Sequence, residues 1–577
     1  MSRAKDFVTT LNQQFGEMQA QRSPYDQVWS KVAVFESDRM NMFAGSATQD
    51  NSYIGLYRDA RDVDNTARQA IQVFSSGMLS GVTPPSDQWF KLKIADVSGG
   101  EDLYKWRPVA TYLEAVERIF LADFVAKNFY TQQVSSYKHI GMYGIQCMFV
   151  GYTPDIGTYY RDVPVDEIYI ANDYAGRVNM VFREMLISIQ QAIEFFGLTN
   201  LSDTIKRMVR MPEFNPHSKI RVIHAVYKKS PGYENIIGAN KLPYVSFYYE
   251  PDEEHLISEG GFQSLPYIVT RAYSDGRSPY SISPGTVALA DVLMINSMKS
   301  LMLQAGQLSV APPMLMPDRG LVGRLSYKPS AINAYRKDQM TTVDDFKPLQ
   351  MAGEFKLALE LMQSAQKDVN NAFFVDLFLM IHNRVQQGRG TPTATEIQQL
   401  ATEKSFLLAP ILINQQQENF DRFFERVFEL MSQWPKKLPP MPEELRTAEL
   451  EVRYESPLVR AQQTVQTQQM LQALQDMGGI AQLYPDVIDI VDSDMVMRKI
   501  FENRGMPQST IREVEEVLAL REQRAEQQAA MQAQLQAQQQ QQAVLQGYQG
   551  LAKAPEAGSP AASLMQSLAG AGMAGAA

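Results

Sequence analysis

The amino-acid pattern predicts a mainly α-helical chain with one β-rich module, an α+β architecture, and three features support it. Apolar residues recur at fourfold spacing near the start, as Phe7, Leu11 and Phe15 do. From about 140 to 280 that rhythm gives way to short runs such as CMFVGYTP, VNMVFRE, IRVIHAVYKK and YVSFYYEP, set apart by Gly, Pro and Asp turns. Further on, two apolar helical stretches bracket a segment rich in Pro, Gly and Tyr.

Each element follows from local chemistry. At 577 residues the chain exceeds what one hydrophobic core fills, so several modules share it. Its 45% hydrophobic and 20% charged residues are ordinary globular usage. A helix through Ala70, Val73, Phe74, Met78 and Leu79 is stopped by GVTPPSDQWFKL. The β-rich runs suggest a small barrel or sandwich. Residues 284–308 are apolar on most sides, with a narrow polar stripe of Asn296, Ser300, Gln304 and Gln307, which predicts a helix packed on several neighbours. VAPPMLMPDRG ends it, and 311–352 reads as an irregular α/β insertion. A second helix, from about 353 to 380, sets Phe355, Leu359, Met362, Val369 and Phe373 on one face and Glu360, Lys367, Asn370 and Asn371 on another.

In HNRVQQGRGTPTATE, glycines and a proline forbid a regular helix while Arg384 and Arg389 add positive charge, so a flexible basic loop is expected. Thr395 is placed to cap a long helix carrying Leu400, Phe406, Leu407, Phe420, Phe424, Val427 and Leu430, which WPKKLPPMP ends. Short helices follow over 456–525. Beyond about 526 the chain turns Gln- and Ala-rich, then Gly-, Ala- and Ser-rich, with too few large apolar side chains to offset ordering entropy. Disorder is expected there, with the Gln/Ala tract able to become helical against a partner.

Several functions are excluded by the same reading. A formal charge of -10 argues against broad phosphate neutralisation. The single cysteine, Cys147, rules out an internal disulfide and sits in an apolar run suited to a buried thiol. The N-terminus lacks the apolar core of an export signal. Asp291, Asn296, Lys299 and several prolines interrupt the most apolar stretch, so a soluble protein away from membranes is expected. No phosphate loop, HExxH, CxxC or GxSxG motif occurs, and His139, His217, His224, His255 and His382 lack metal-ligand spacing. No catalytic residue, metal or cofactor is expected, and the chain reads as a non-enzyme.

The order and spacing of several segments resemble the podovirus-type head-to-tail connector family of phage portal proteins. They are Ser75 to Leu92, Pro164 to Glu184, Gly261-Phe262 with Pro266 and Arg271, Asp291-Val292-Leu293 with Asn296, Pro312-Pro313, Ala372-Phe373-Phe374, Thr393-Ala394-Thr395-Glu396 and Tyr454 to Leu458. Together they span roughly residues 5 to 525, and the chain departs from the family in the length and composition of its Gln-rich tail. The resemblance implies a portal fold with wing, stem, clip and crown, assembling as a dodecameric ring around a channel. Mapped onto this chain, the wing is 1–283 with an SH3-like β-rich module, the stem helices are 284–310 and 353–382, and the clip between them is 311–352. The channel loop is 383–393, a long helix over 394–455 returns to the wing, 456–525 is the crown and 526–577 the tail.

The resemblance also implies partners: double-stranded DNA passing without sequence specificity, a terminase motor, tail adaptor proteins, and capsid and scaffolding proteins. The protein would sit at a capsid vertex of the virion, and in host cytoplasm during assembly. Candidate residues are Arg384, Gln386, Gln387, Arg389 and Thr391 for the channel loop, and Gln363, Lys367, Asn370 and Asn371 for the channel-lining stem. Met316, Tyr327 and Tyr335 are the candidates for clip docking, since Met and aromatic side chains are enriched at interfaces. The competing expectation is another structural virion protein, a tail-tube or internal core component, which would not need the helix-insertion-helix unit.

Overall fold

The computed structural model describes residues 2–36, 63–94, 107–229, 242–274, 276–318, 328–336, 347–348, 355–379, 407–433, 437–443, 450–454, 470–478, 491–503 and 514–551, with a few isolated positions between them. It is mixed helical with sheets, in two compact units: residues 1–101 with 112–505, and 102–111 with 506–577.

In the first unit, α1 (Ser2–Glu36) lies on a five-stranded antiparallel sheet of β4 (Ile168–Asn172), β5 (Val178–Ser188), β6 (Lys219–Lys228), β7 (Tyr244–Glu250) and β8 (His255–Phe262), in that order. The fourfold stripe does the packing: Phe7, Leu11 and Phe15 are buried against Tyr169, Phe182, Ile223 and Phe247. The sheet's other face is covered by α5 (Ile189–Phe196) and α6 (Asp203–Val209), whose Ile189, Ala192 and Ile205 pack with Val222 and Ile257. A capping box starts α5, with Ser188 and Gln191 each satisfying the other's backbone N–H. A second antiparallel sheet holds β2 (Ile145–Thr153) between β3 (Gly157–Asp162) and β9 (Tyr267–Arg271). The β-rich module is therefore two antiparallel sheets. Cys147 is buried in β2, as expected, and burial pushes its thiol well up.

Helices carry the rest of this unit. They are α2 (Thr66–Val82), α3 (Arg107–Ala126, of which the part from Tyr112 belongs to this unit) and α4 (Phe129–Tyr143), with β1 (Phe90–Ile94) after α2. β1 pairs antiparallel with β13 (Leu450–Tyr454), Phe90 facing Tyr454, so segments more than three hundred residues apart form one two-stranded sheet. Beneath that pair, Trp89, Phe90, Phe120 and Phe124 are fully buried with Phe420 and Phe424 of the late helical segment. Each such ring contributes roughly 1.5–3 kcal/mol by leaving water.

The late helix differs from the unbroken one expected from Thr395. Residues 407–414 are helical, Gln415–Phe420 form a π turn, and α10 (Asp421–Ser432) continues. Gln415 and Asn419 are buried in that turn, where Gln146 Nε2 and Asn419 Nδ2 both donate to Gln415 Oε1. The π turn thus coincides with a buried amide cluster centred on Gln415 Oε1. Phe420, Phe424, Val427 and Leu430 are buried as expected, Leu407 is 64% exposed, and Thr395, Leu400 and Phe406 lie outside the described residues.

Two long helices leave the body. α7 (Pro284–Val310) begins where Ser283 accepts from Thr286 N at 2.8 Å and donates to Met142 O at 2.7 Å, with Pro284 in the first turn. Just before, Gly144 ends α4 at φ +76, and a Cβ there would meet Ile282 O at 2.8 Å, so the junction requires glycine twice over. α8 (Phe355–Ala372) packs antiparallel along α7 and stops at Phe374, whose φ of 56 is left-handed, before the short α9 (Val375–Phe378). The buried face of α8 is Ala365, Val369 and Phe373; Leu359, expected on that face, is 41% exposed because the stripe runs one position away from it. Between the helices, the described part of 311–352 is strand only, β10 (Met314–Asp318) parallel to β11 (Ile332–Arg336) and antiparallel to β12 (Lys347–Pro348). The rest of the expected α/β insertion lies outside the described residues.

After β13, α11 (Ser493–Asn503) completes the described helices of the first unit, and α12 (Val514–Leu551) forms the second. α12 crosses the stretch expected to be disordered from 526. Between Pro507 and Gly547 the chain holds no glycine or proline and is dominated by Ala, Gln, Glu, Arg and Leu, all good helix formers. Its side chains from 521 to 542 are all exposed, so propensity alone accounts for it, and residues 552–577 lie outside the described set.

Candidate assembly and channel surfaces

The α7–α8 pair is anchored by a buried carboxylate that sequence reasoning missed. Asp64, just before α2, accepts from Thr66 N at 2.8 Å, from Lys299 Nζ at 3.0 Å and from Gln366 Nε2 at 3.4 Å. Asn296 Oδ1 accepts from the backbone N–H of Val63 and Asp64, each at 2.9 Å, while its amide donates to Val292 O. One acidic group thus ties α2, α7 and α8 together. Burial pushes the Asp64 carboxyl up, but hydrogen bonds from Thr66 and the Lys299 ammonium outweigh it and hold the group below its usual range. Asn296, one of the polar stripe expected with Ser300, Gln304 and Gln307, is 3% exposed and structural.

Aromatic packing seals the same root. Phe74 of α2 meets Phe373 and Phe378 edge-on, at 6.5 and 6.2 Å between ring centroids. The Phe378 ring occupies the space a side chain at Gly77 would fill.

Beyond the root, α7 exposes apolar surface: Val287, Met294 and Leu301 recur every seven residues at 62%, 41% and 61% exposure, and Val310 reaches 88%. On α8, Gln363, Lys367 and Asn371 are exposed and Asn370 half-buried, so four of the predicted residues share one stripe opposite Val369 and Phe373. Leu357 and Leu361 are exposed as well, so α8 is not polar throughout its outer surface. In the small sheet Met316 is 37% exposed, and Tyr335 pairs with Pro317 in register. Tyr327 and the whole loop of Arg384, Gln386, Gln387, Arg389 and Thr391 lie outside the described residues.

Among the described residues no three His, Cys, Asp or Glu side chains group as metal ligands. Several buried polar groups are committed to structure. Asp162 holds Ser135 and Ser136, each at 2.6 Å, with His139 at 3.2 Å, and Arg271 pairs with Glu418. α7 is the one described helix long and apolar enough to cross a membrane, yet Asn296 and Lys299 fix its middle to the body.

A helical pair rooted in a polar hub, with a small sheet between its ends and exposed apolar surface along it, is an arrangement suited to assembly. The family model of the bacteriophage head to tail connecting proteins matches residues 8–511, and the chain belongs to that family. These are structural components of the virion's head-tail connection. The chain is 27% identical over 519 residues to the portal protein of Salmonella phage epsilon15, covering 89% of this chain and 90% of that one. It is also 27% identical over 525 residues to the probable portal protein of Bordetella phage BPP-1, covering 89% and 91%. A solved structure described as the neck of an empty GTA particle computed with C6 symmetry matches 70% of this chain and 85% of its own at 9% identity and TM-score 0.28, a likeness that supports no conclusion.

Proposed function

We infer that the chain is a subunit of a viral portal, the head-to-tail connector through which DNA enters and leaves a capsid. The observation that carries this is the family match over residues 8–511. Its work is mechanical, and it has no catalytic role. Subunits join head to tail into a dodecameric ring, since a repeated heterologous contact closes when its rotation per copy is right. The apolar stripe of Val287, Met294 and Leu301 packs against a neighbouring copy, which removes that surface from water. The stripe of Gln363, Lys367, Asn370 and Asn371 lines the channel. An acidic protein with few bases there lets double-stranded DNA slide, because phosphate contacts are few.

Arg384, Gln386, Gln387, Arg389 and Thr391 form a loop that touches phosphates without reading bases. The 311–352 segment, with Met316, Tyr327 and Tyr335, docks the terminase motor during packaging and tail adaptor proteins afterwards. Capsid and scaffolding proteins meet the ring in host cytoplasm as the particle is built.

Electron microscopy of the purified chain tests the whole reading: a hollow annulus is expected, and a monomer that never closes around an opening would end it. Cysteine at Asn370 or Asn371 should react only with reagents small enough to enter the bore. Arg384→Ala with Arg389→Ala should impair DNA retention, and unchanged packaging would remove the loop from the mechanism. A ring lacking 311–352 should fail to recruit the motor.

A further inference from the structure

Away from the helical pair, a cleft of about 750 Å³ opens between α10, the π turn and the β1–β13 pair. Its walls include Phe120, Phe428 and Tyr454, and its polar lining includes Asp421, Glu425 and Glu451. Arg453 is the single base among the described lining residues. Tyr454 Oη donates to Asp421 Oδ1 at 2.6 Å, which fixes one wall. Burial pushes both the Asp421 and the Glu425 carboxyls up, so a cation placed beside them would be favoured. An apolar-walled, net acidic recess of this size fits an apolar side chain accompanied by a guanidinium.

The same unit carries a surface of the opposite kind. At the end of α6, Met208 and Met211 are 42% and 58% exposed, and Arg207 and Arg210 beside them are exposed too. Arg207 holds only its own helix, at Asp203 O and Thr204 Oγ1, each 3.3 Å away. Over residues 203–213, Lys206, Arg207 and Arg210 stand against Asp203 and Glu213, a small local excess of positive charge on an apolar, adaptable Met surface in a chain of net charge -10.

We propose that the Phe120–Tyr454 cleft of one copy receives the Arg207–Met211 surface of a second copy, as part of the head-to-tail contact of the ring. The inference rests on the portal reading. A heterologous contact needs two different, complementary faces on every subunit, and these two match in both charge and apolar character.

The test is charge reversal and rescue in the full chain. One variant carries Glu425→Arg with Glu451→Arg, another Arg207→Glu with Arg210→Glu, and a third all four. Sedimentation velocity and negative-stain imaging read assembly, and circular-dichroism melting confirms folding. Each reversal should raise the concentration for half-assembly about tenfold, and the fourfold variant should return it to near the parent value. Parent-like assembly by either reversal, or no rescue in combination, overturns the contact while leaving the ring intact. A parent chain that never forms a ring overturns the portal reading, and this contact with it.

Discussion

The body of the first unit and the helical pair that leaves it handle apolar surface in opposite ways. In the body, Trp89, Phe90, Phe120 and Phe124 have 0% exposure, and the rings of Phe420 and Phe424 lie 5.1 and 5.6 Å from Trp89. Along the pair, Leu301, Leu303 and Val310 are 61%, 54% and 88% exposed. The first region completes its burial within one chain, so its stability is that of a folded subunit. The second exposes apolar residues at regular helical intervals, the surface that the proposed contact with a neighbouring copy would cover. Substitutions should separate the two regions cleanly: damage to the body lowers subunit stability, whereas damage to the pair spares the subunit and stops assembly.

The sharpest break comes at Trp89. Trp89→Ala removes a ring packed on Phe90, Phe124, Phe129, Phe420 and Phe424, and should cost about 3–5 kcal/mol in chemical denaturation. An effect under about 1 kcal/mol would mean the body is looser than its packing indicates.

Next in size is the pH response of the same core. Burial pushes the Glu117 carboxyl up to about 7, although Leu92 N at 2.6 Å and Gln88 Nε2 at 2.7 Å both donate to it. Its pKa is raised above the unfolded 4.5, so its contribution is fully present below 4.5 and lost as pH rises through about 7. The loss is on the order of 3 kcal/mol at most. Glu117→Gln should flatten the stability profile between those two values; a wild-type profile already flat there would show that the group is ionised in the folded subunit.

Much of this contrast was readable in the sequence, because both regions declare themselves by spacing. Phe7, Leu11 and Phe15 mark a buried helix face, and the breadth of apolar positions over 284–308 marks a helix with more than one neighbour. What could not be read was long-range pairing. Asp64 meets Asn296, Lys299 and Gln366 across separations of 232 to 302 positions, and no local pattern distinguishes it from other surface carboxylates. Asn296 was visible, but a polar residue on an apolar helix gives no sign of whether it faces solvent or caps another element's N–H groups. The Leu359 position shows a subtler limit. Phe355, Leu359 and Val369 suit one stripe, Ala365, Val369 and Phe373 another, and only the placement of α2 decides between them. In the tail, helix propensity and lack of apolar surface point in different directions, and composition could not rank them.

Between the two regions stands Asp64. Asp64→Ala leaves the Lys299 ammonium and two N–H donors without their acceptor, which costs roughly 1–3 kcal/mol. The loss should appear first as faster hydrogen exchange in α7 near Asn296, with the body's own protection unchanged. Because its folded pKa is depressed, the carboxylate's contribution is present above the unfolded value of 3.8 and lost as pH falls below it. Acid should therefore loosen the helical pair at a pH where Glu117, protonated and content, still favours the body.

The smallest effect on the subunit should come from Leu301→Asp, and it is the most informative. Leu301 is 61% exposed and lies two heptads from Val287 on the outer stripe of α7, so a surface substitution there should change subunit stability by less than about 0.5 kcal/mol. If that stripe is covered by a neighbouring copy, the same change buries a carboxylate in an apolar contact, and such a charge is expensive without a partner. The expected outcome is a protein with a parent-like melting curve that sediments as a monomer. Normal rings would show that Leu301 stays in solvent after assembly, and the line between a self-sufficient body and a dependent helical pair would have to be drawn further along α7.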